Sequence, residues 1–268
     1  MRLLACGQTD TGISRTNNED NFCVEEGLGL FAVADGIGGS SAGEIASKMA
    51  VDVIRDYITR SASANEPFIG EYDKKNSEFA NRLASAIRLS NKAIYEASQN
   101  NAAWRGMGTT VAAALFAEDR LSIAHVGDSR GYLIRANSIV QLTDDHSVVS
   151  EQVRQGLLTR EEAAESNIRN IITKALGKDL SLDVDIDEIE VMDDDRVLLC
   201  TDGLTTMVPD DTILSMISSL EEPEKACSKL IDTANKNGGK DNVTVVVAHF
   251  SKRKWFSSVK NLFKFAGR

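Results

Sequence analysis

Apolar and polar positions alternate along this chain with two different periods. Residues 3–10 and 21–34 read as strands, the latter carrying the unbroken run Leu30-Phe31-Ala32-Val33-Ala34. From Ala42 to Arg60 the spacing changes to three and four. Ile45, Met49, Val53 and Tyr57, with Ala46, Ala50, Ile54 and Ile58 beside them, predict a helix. Residues 61–75 are polar and irregular. A second helix is predicted over about 77–98, with Phe79, Leu83, Ile87, Ile94 and Ala97 on one face. Four short apolar runs follow, at 109–116, 121–126, 131–135 and 139–142. Turn formers such as Glu118-Asp119 and Ala136-Asn137-Ser138 separate them, which predicts an antiparallel meander. Residues 144–178 are polar and helical in pattern with little to bury, so they predict an excursion from the core. Leu182–Val191 alternates loosely, 196–200 reads as a core strand, helices are expected at about 209–219 and 222–236, and 243–250 closes the sheet. Strand runs with segregated helix pairs predict an α+β fold of antiparallel sheets covered by helices.

At 268 residues and 42% hydrophobic, the chain can fill one large core. It contains no stretch of about 20 apolar residues. The opening Met1-Arg2-Leu3-Leu4-Ala5-Cys6 lacks the apolar segment that a lipoprotein signal needs before its cysteine. Cys6, Cys23, Cys200 and Cys227 form no CxxC pair and read as buried thiols of a cytoplasmic protein. Formal net charge is −10. Residues 251–268 carry Lys252, Arg253, Lys254, Lys260, Lys264 and Arg268 and no acid, which leaves the body near about −16. An acidic body argues against nucleic acid as substrate.

Two apolar strands run directly into Asp-Gly: Ala32-Val33-Ala34-Asp35-Gly36 and Leu199-Cys200-Thr201-Asp202-Gly203. One Asp-Gly is commonly a turn. Two of them, with Asp20-Asn21 upstream and Asp241-Asn242 before a third apolar strand, place several carboxylates at the rim of an apolar interior. Unpaired charge is expensive there, and an all-oxygen ligand set suits a hard divalent cation such as Mg²⁺ or Mn²⁺. Gly36-Ile37-Gly38-Gly39 is not a P-loop, because no Gly-Lys-Ser/Thr follows. Asp183-Val184-Asp185-Ile186-Asp187 imitates the start of an EF-hand, but Glu188 stands where that loop needs glycine. The alternation of Leu182, Val184 and Ile186 favours a strand.

Eight motifs come in order: Arg15-Thr16-Asn17-Asn18-Glu19-Asp20-Asn21, Val33-Ala34-Asp35-Gly36-Ile37-Gly38-Gly39, Gly43-Glu44 with Ala46-Ser47, Gly106-Met107-Gly108-Thr109-Thr110, His125-Val126-Gly127-Asp128-Ser129-Arg130, Leu142-Thr143-Asp144-Asp145-His146-Ser147, Thr201-Asp202-Gly203-Leu204 and Lys240-Asp241-Asn242-Val243-Thr244. Together they resemble the metal-dependent protein phosphatases of the PP2C (PPM) family in their compact bacterial form, over roughly residues 5–250. The resemblance implies a β-sandwich of two antiparallel sheets flanked by pairs of antiparallel helices, with residues 1–250 as the phosphatase domain and 144–178 as a flap beside the metal site. It implies Asp35 bridging two Mn²⁺ or Mg²⁺ ions, the Gly36 carbonyl ligating one, Asp202 and Asp241 holding the first ion, and Asp20 and Glu19 supporting the second. Asp128 would serve a weaker third ion, and Arg15 would hold the substrate phosphate. Two cations sharing a water lower its pKa, so that hydroxide can attack phosphorus in line without a covalent intermediate. A guanidinium grips two phosphate oxygens at once. Glycines 38, 39 and 43 would allow unusual backbone and close packing beside Asp35.

The implied activity is metal-dependent hydrolysis of phosphoserine and phosphothreonine in proteins, by a monomeric enzyme that opposes a bacterial Hanks-type kinase. The chain departs from the pattern of the family it resembles at Ser40, where bacterial members carry histidine, at Ile37, near a histidine of eukaryotic members, and at Ser166-Asn167, in place of a His-Pro. That leaves water or His146 as the acid for the leaving alkoxide. Ser40 also motivates an alternative, a low-turnover phosphoprotein-binding module of the same fold. A small-molecule phosphatase is a third reading. The 251–268 tail, with Trp255, Phe256, Val259, Leu262 and Phe263 at helical spacing, reads as a segment resting on the acidic body, a partner-binding helix or an interfacial helix on anionic lipid.

Overall fold

The computed structural model describes residues 1–38, 42–64, 66–159, 162–163 and 166–251. The basic tail and Ser40 lie outside the described residues. Among the described residues eleven strands form two antiparallel sheets. The first has the order β1 (Arg2–Asp10), β11 (Val243–Ser251), β10 (Arg196–Cys200), β7 (Arg130–Arg135), β8 (Ser138–Gln141). The second runs β2 (Asp20–Glu25), β3 (Leu30–Ile37), β5 (Val111–Ala117), β6 (Arg120–Val126), β9 (Asp185–Glu190), with the two-residue β4 (Gly108–Thr109) paired to β3.

Local chemistry sets the turns and helix ends. Glu118 and Asp119 join β5 to β6, and Ala136 and Asn137 join β7 to β8. Both residues of each pair have positive φ, as a two-residue turn of the type I′ kind demands. Helix α1 spans Ala42–Ser63 and α2 spans Glu78–Asn100. Ser77 caps α2, its side chain accepting from the Ala80 N–H at 3.1 Å. Ser147 does the same for α3 (Val148–Arg154), accepting from Ser150. The one-turn α4 (Asp202–Thr205) follows β10, and α5 (Asp210–Ser219) precedes α6 (Pro223–Lys236), which opens on proline, a residue with no N–H to leave unpaired.

Three apolar layers hold these elements together. Phe31, Val33, Leu121, Ile123, Leu133, Leu199, Val246 and Phe250 interdigitate between the sheets. Ala46, Ile54, Leu83 and Ile87 pack α1 and α2 against the second sheet, and Ile213, Leu230 and Ile231 pack α5 and α6 against the first. Each strand buried on both faces therefore reads as a continuous apolar run, because side chains of both parities meet a neighbour.

Two expectations change. The 243–250 strand does not close a sheet edge: β11 lies inside, between β1 and β10, and the apolar character of both its faces follows from that burial. The 144–178 excursion contains one described α-helix, α3. Its return is pinned by short bridges of Ser147 to Ile172 and Thr109 to Leu176.

Strand register determines where the acids gather. Asp20 pairs opposite Asp35, Val111 opposite Val126, Cys200 opposite both Arg130 and Val245. The start of β2, the end of β3, the β6–β7 turn, the end of β10 and the start of β11 thus all lie at one end of the sandwich.

Candidate metal centre

Five carboxylates converge at that end, from strands of both sheets. Asp35 is the hub. Burial raises its pKa well above the ordinary carboxylate range, and the neighbouring charges of Asp20, Asp202, Asp128 and Asp241 raise it further. Burial, with Asp202 and Asp241 nearby, pushes Asp20 up to about 7. Asp128 rises to about 7, from burial and then Asp202 and Asp145. Asp202 rises to about 6, from burial and then Asp241, partly offset by Arg130 and Arg15. Asp20, Asp35, Asp128 and Asp202 are each raised chiefly by desolvation and further by their fellows, the electrostatic signature of a site short of positive charge.

Asp20 is nearly inaccessible, and its two oxygens have different fates. Oδ2 accepts from Thr201 Oγ1 at 2.8 Å and Thr244 Oγ1 at 2.7 Å, two hydroxyls of the opposite sheet. Oδ1 is buried with no hydrogen-bond partner, and so is Oδ1 of Asp202. A buried carboxylate oxygen without a donor costs free energy that a cation would recover. The sequence reading assigned no role to Thr201 or Thr244. The signal was available: Thr244 is the polar interruption of the otherwise apolar run Val243–Ala248.

The backbone here is drawn unusually close. A Cβ on Gly36 would collide with the Gly43 carbonyl at the start of α1, and one on Gly43 would strike the Glu19 carboxylate. Only glycine at both positions lets α1, β3 and the 19–20 segment approach so tightly. Ser47 of α1 donates to the Glu19 carbonyl at 2.5 Å, and Asn242 Oδ1 accepts from the Glu19 N–H at 2.8 Å. The Asn242 amide also donates to the carbonyls of Thr11 and Asn17, so one residue beside Asp241 holds the loop that presents Glu19 and Asp20. The Glu19 pKa is raised, first by desolvation.

Arg15 stands at the rim with its side chain 56% exposed, donating to Asp241 Oδ2 at 2.7 Å. Its own pKa is raised by that hydrogen bond and by the charges of Asp241, Asp35 and Glu19. A cleft of ≈ 760 Å³ extends from Asp128 and Asp202 along Arg130 and Thr143 to Val149 and Arg154 of α3.

None of the three histidines offers a free acid. His125 Nε2 donates to the Asp144 carbonyl at 2.8 Å. His146, expected as an acid, is buried with both ring nitrogens engaged: Nδ1 accepts from the Gly127 N–H at 3.1 Å and Nε2 meets Asp185 Oδ2 at 3.1 Å. A proton on Nε2 is held toward Asp185 rather than toward the carboxylate cluster. His249, at the far end of β11, contacts Asp194 at 2.7 Å. His125, His146 and Asp185 do gather ligand-type atoms within 4.8 Å of one another. They do not make an ion site, since an N–H donating to Nδ1 leaves the proton of the neutral His146 ring on Nε2, with no lone pair there for a cation.

The residues at the carboxylate end do fit divalent ions: clustered aspartates, two orphaned buried oxygens and the partly exposed Arg15 at the mouth.

Comparisons agree with this geometry. The sequence profile described as Protein phosphatase 2C matches residues 13–241. The serine/threonine phosphatase stp of Listeria welshimeri is 36% identical over 243 residues, covering 90% of this chain and 93% of its own. A crystal structure of the catalytic domain of the serine threonine protein phosphatase PstP in complex with two manganese ions superposes with a TM-score of 0.81 at 36% identity, covering 93% of this chain and 99% of that one. The serine/threonine phosphatase Stp1 of Staphylococcus aureus gives a TM-score of 0.81 at 36% identity, over 94% and 96%.

Proposed function

Because the chain belongs to the protein phosphatase 2C family, we propose that its carboxylate end hydrolyses phosphoserine and phosphothreonine monoesters in proteins with the help of Mn²⁺ or Mg²⁺. The observation that carries this is the pair of orphaned oxygens, Asp20 Oδ1 and Asp202 Oδ1, beside Asp35 and Asp128, with burial raising the pKa of all four of these acids. Bound ions supply positive charge for the phosphoryl oxygens and acidify water at neutral pH.

This chain's own residues would divide the work as follows. Asp35, the Gly36 carbonyl, Asp202 and Asp241 would hold the first ion, and Asp35 would also serve the second. Asp20 and, farther out, Glu19 would support the second. Asp128 takes a weaker third. Thr201 and Thr244 fix one Asp20 oxygen and so aim the other. Arg15, beside Asp241 and facing solvent, grips two phosphate oxygens and orients the ester. The adjoining cleft takes the peptide on either side of the phosphorylated residue. Water protonates the leaving alkoxide, since every imidazole is engaged elsewhere.

Residues 1–250 act as one catalytic unit with 144–178 as its flap, and the enzyme works as a monomer against a serine/threonine kinase. Among the described residues no helix is long and apolar enough to cross a membrane. Four free thiols suit a reducing compartment, the cytoplasm. The basic 251–268 tail is read as a contact for a partner or a membrane surface, with rest on the acidic body as the alternative.

The test is release of phosphate from a phosphothreonine peptide after chelation and again after Mn²⁺ is returned. Activity lost and then restored is expected. Turnover unaffected by chelator in folded protein would remove the metal reading. A preference for sugar phosphates over the peptide would remove the protein substrate.

A further inference from the structure

We propose that His146 is a positioning residue for Asp128: it clamps Gly127 from both sides and so aims the next side chain into the carboxylate cluster, while Asp185 fixes the tautomer that makes the clamp work. This rests on the reading of Asp128 as an ion-binding carboxylate.

Gly127 turns the chain between β6 and β7 with φ of +104°, a conformation closed to other residues, and a Cβ there would press on Thr110. Such a turn has no side chain to hold it. His146 supplies the hold. The Gly127 N–H donates to His146 Nδ1 at 3.1 Å, and the His146 backbone N–H donates to the Gly127 carbonyl at 2.9 Å. Both peptide groups that flank Gly127 are thereby fixed by one residue from another segment. On the other side of Asp128, Ser129 Oγ meets Thr110 Oγ1 at 2.7 Å, and Arg130 donates to both oxygens of Asp145. Asp128 sits between these two anchors.

The clamp works in one tautomer only. An amide N–H can only donate, so Nδ1 must carry a lone pair and the ring proton must sit on Nε2. That proton points at Asp185 Oδ2, on the first residue of β9. A second proton on Nδ1 would face the Gly127 N–H and open the clamp. The surroundings oppose it: the ring is buried, His125 stacks on it with centroids 4.8 Å apart and planes 17° apart, and the Lys174 ammonium lies 3.5 Å from the same Asp185. Burial, His125 and Lys174 together lower the His146 pKa against the opposing pull of Asp185. His125 adds a second tether, donating to the carbonyl of Asp144 two residues before His146. The segment that begins the flap is thus tied to the turn that carries Asp128, and the tie runs through a ring whose proton is placed by β9.

Two measurements on the full chain test this. Nitrogen-15 NMR of the imidazoles at pH 7 is expected to find His146 as the neutral Nε2–H tautomer. The Gly127 amide resonance is expected to move in His146→Phe and to keep its place in His146→Asn, whose side-chain oxygen can still accept from Gly127. Mn²⁺ binding, followed by the EPR signal of free Mn²⁺, is expected to resolve two tight ions and one weaker one in the native chain. Asp128→Asn removes the weak ion. His146→Phe weakens it about tenfold or more while the tight pair stays, and His146→Asn restores it. Asp185→Leu, at a half-exposed position, supplies the same comparison should His146→Phe not fold. It is expected to mix the tautomers and weaken the third ion severalfold. An Nδ1–H ring, or a weak ion unchanged in folded His146→Phe, overturns the proposal. A weak ion unchanged in Asp128→Asn instead overturns the reading of Asp128 as a ligand, and the tautomer and Gly127 resonance then judge the clamp alone.

Discussion

Asp20 and Asp35 stand directly opposite one another across the β2–β3 ladder. Like charges in that relation repel, and here both are largely withdrawn from water. The fold places two acids where stability alone would place none, which is the mark of a site whose partner is a cation.

Asp35→Asn should separate activity from stability. Removing the hub charge relieves repulsion on Asp20, Asp202 and Asp128, so metal-free protein is expected to melt a few degrees higher. Turnover with Mn²⁺ on p-nitrophenyl phosphate is expected to fall at least about a hundredfold. A variant as active as the native chain would sink the assignment of Asp35.

The pH dependence of metal-free stability has a definite sign. Asp20 and Asp128 titrate near about 7 and Asp202 near about 6 in the folded chain, all above the ordinary 3.8 that unfolded chain approaches. Between those limits the folded state binds more protons, so stability is full below about pH 4 for these groups and is lost as pH rises through 6 to 7. Thermal melts in chelator should therefore lose stability from pH 5 to pH 8 through this term. In saturating Mn²⁺ the term should vanish. A Asp202→Asn chain should show a shallower loss, and an unchanged slope would count against the cluster.

Arg15→Lys isolates the grip on phosphate. The Arg15–Asp241 pair is exposed, so its loss should change stability by less than about 1 kcal/mol. A lysine cannot hold two phosphate oxygens in one plane, so KM for a phosphopeptide should rise about tenfold with Mn²⁺ affinity little changed. Equal KM in the two proteins would return Arg15 to the role of a surface ion pair.

Gly43→Ala tests the close approach beneath the site. The new methyl would meet the Glu19 carboxylate and the Gly36 backbone, forcing α1 away from β3. A stability loss of about 1–3 kcal/mol by denaturant unfolding is expected, with activity falling further than stability because Glu19 and Asp35 separate. Native behaviour of this variant would show that the tight packing has no bearing on the acids.

Sequence alone determined the elements and singled out several of the acids that the fold gathers at one end. The periods of 3.6 and 2 locate α1, α2, α5, α6 and most strands within a few residues, and they do so because burial of one helix face or of a whole strand is written locally. Asp35, Asp202 and Asp241 were legible because each adjoins an apolar strand with a turn residue beside it. The tertiary structure decided what no local pattern encodes. It seated β11 in mid-sheet, joined Arg15 to Asp241 across 226 positions of chain, gave Asp20 its two threonines and left its other oxygen bare. It surrounded His146 with Gly127, Asp185 and His125, contacts that no local pattern announces. The physical reason is register: these relations exist only once strands far apart in the chain have paired at one particular offset, and a slip of one residue would turn strand side chains such as Asp20, Asp35 and Thr244 to the other face.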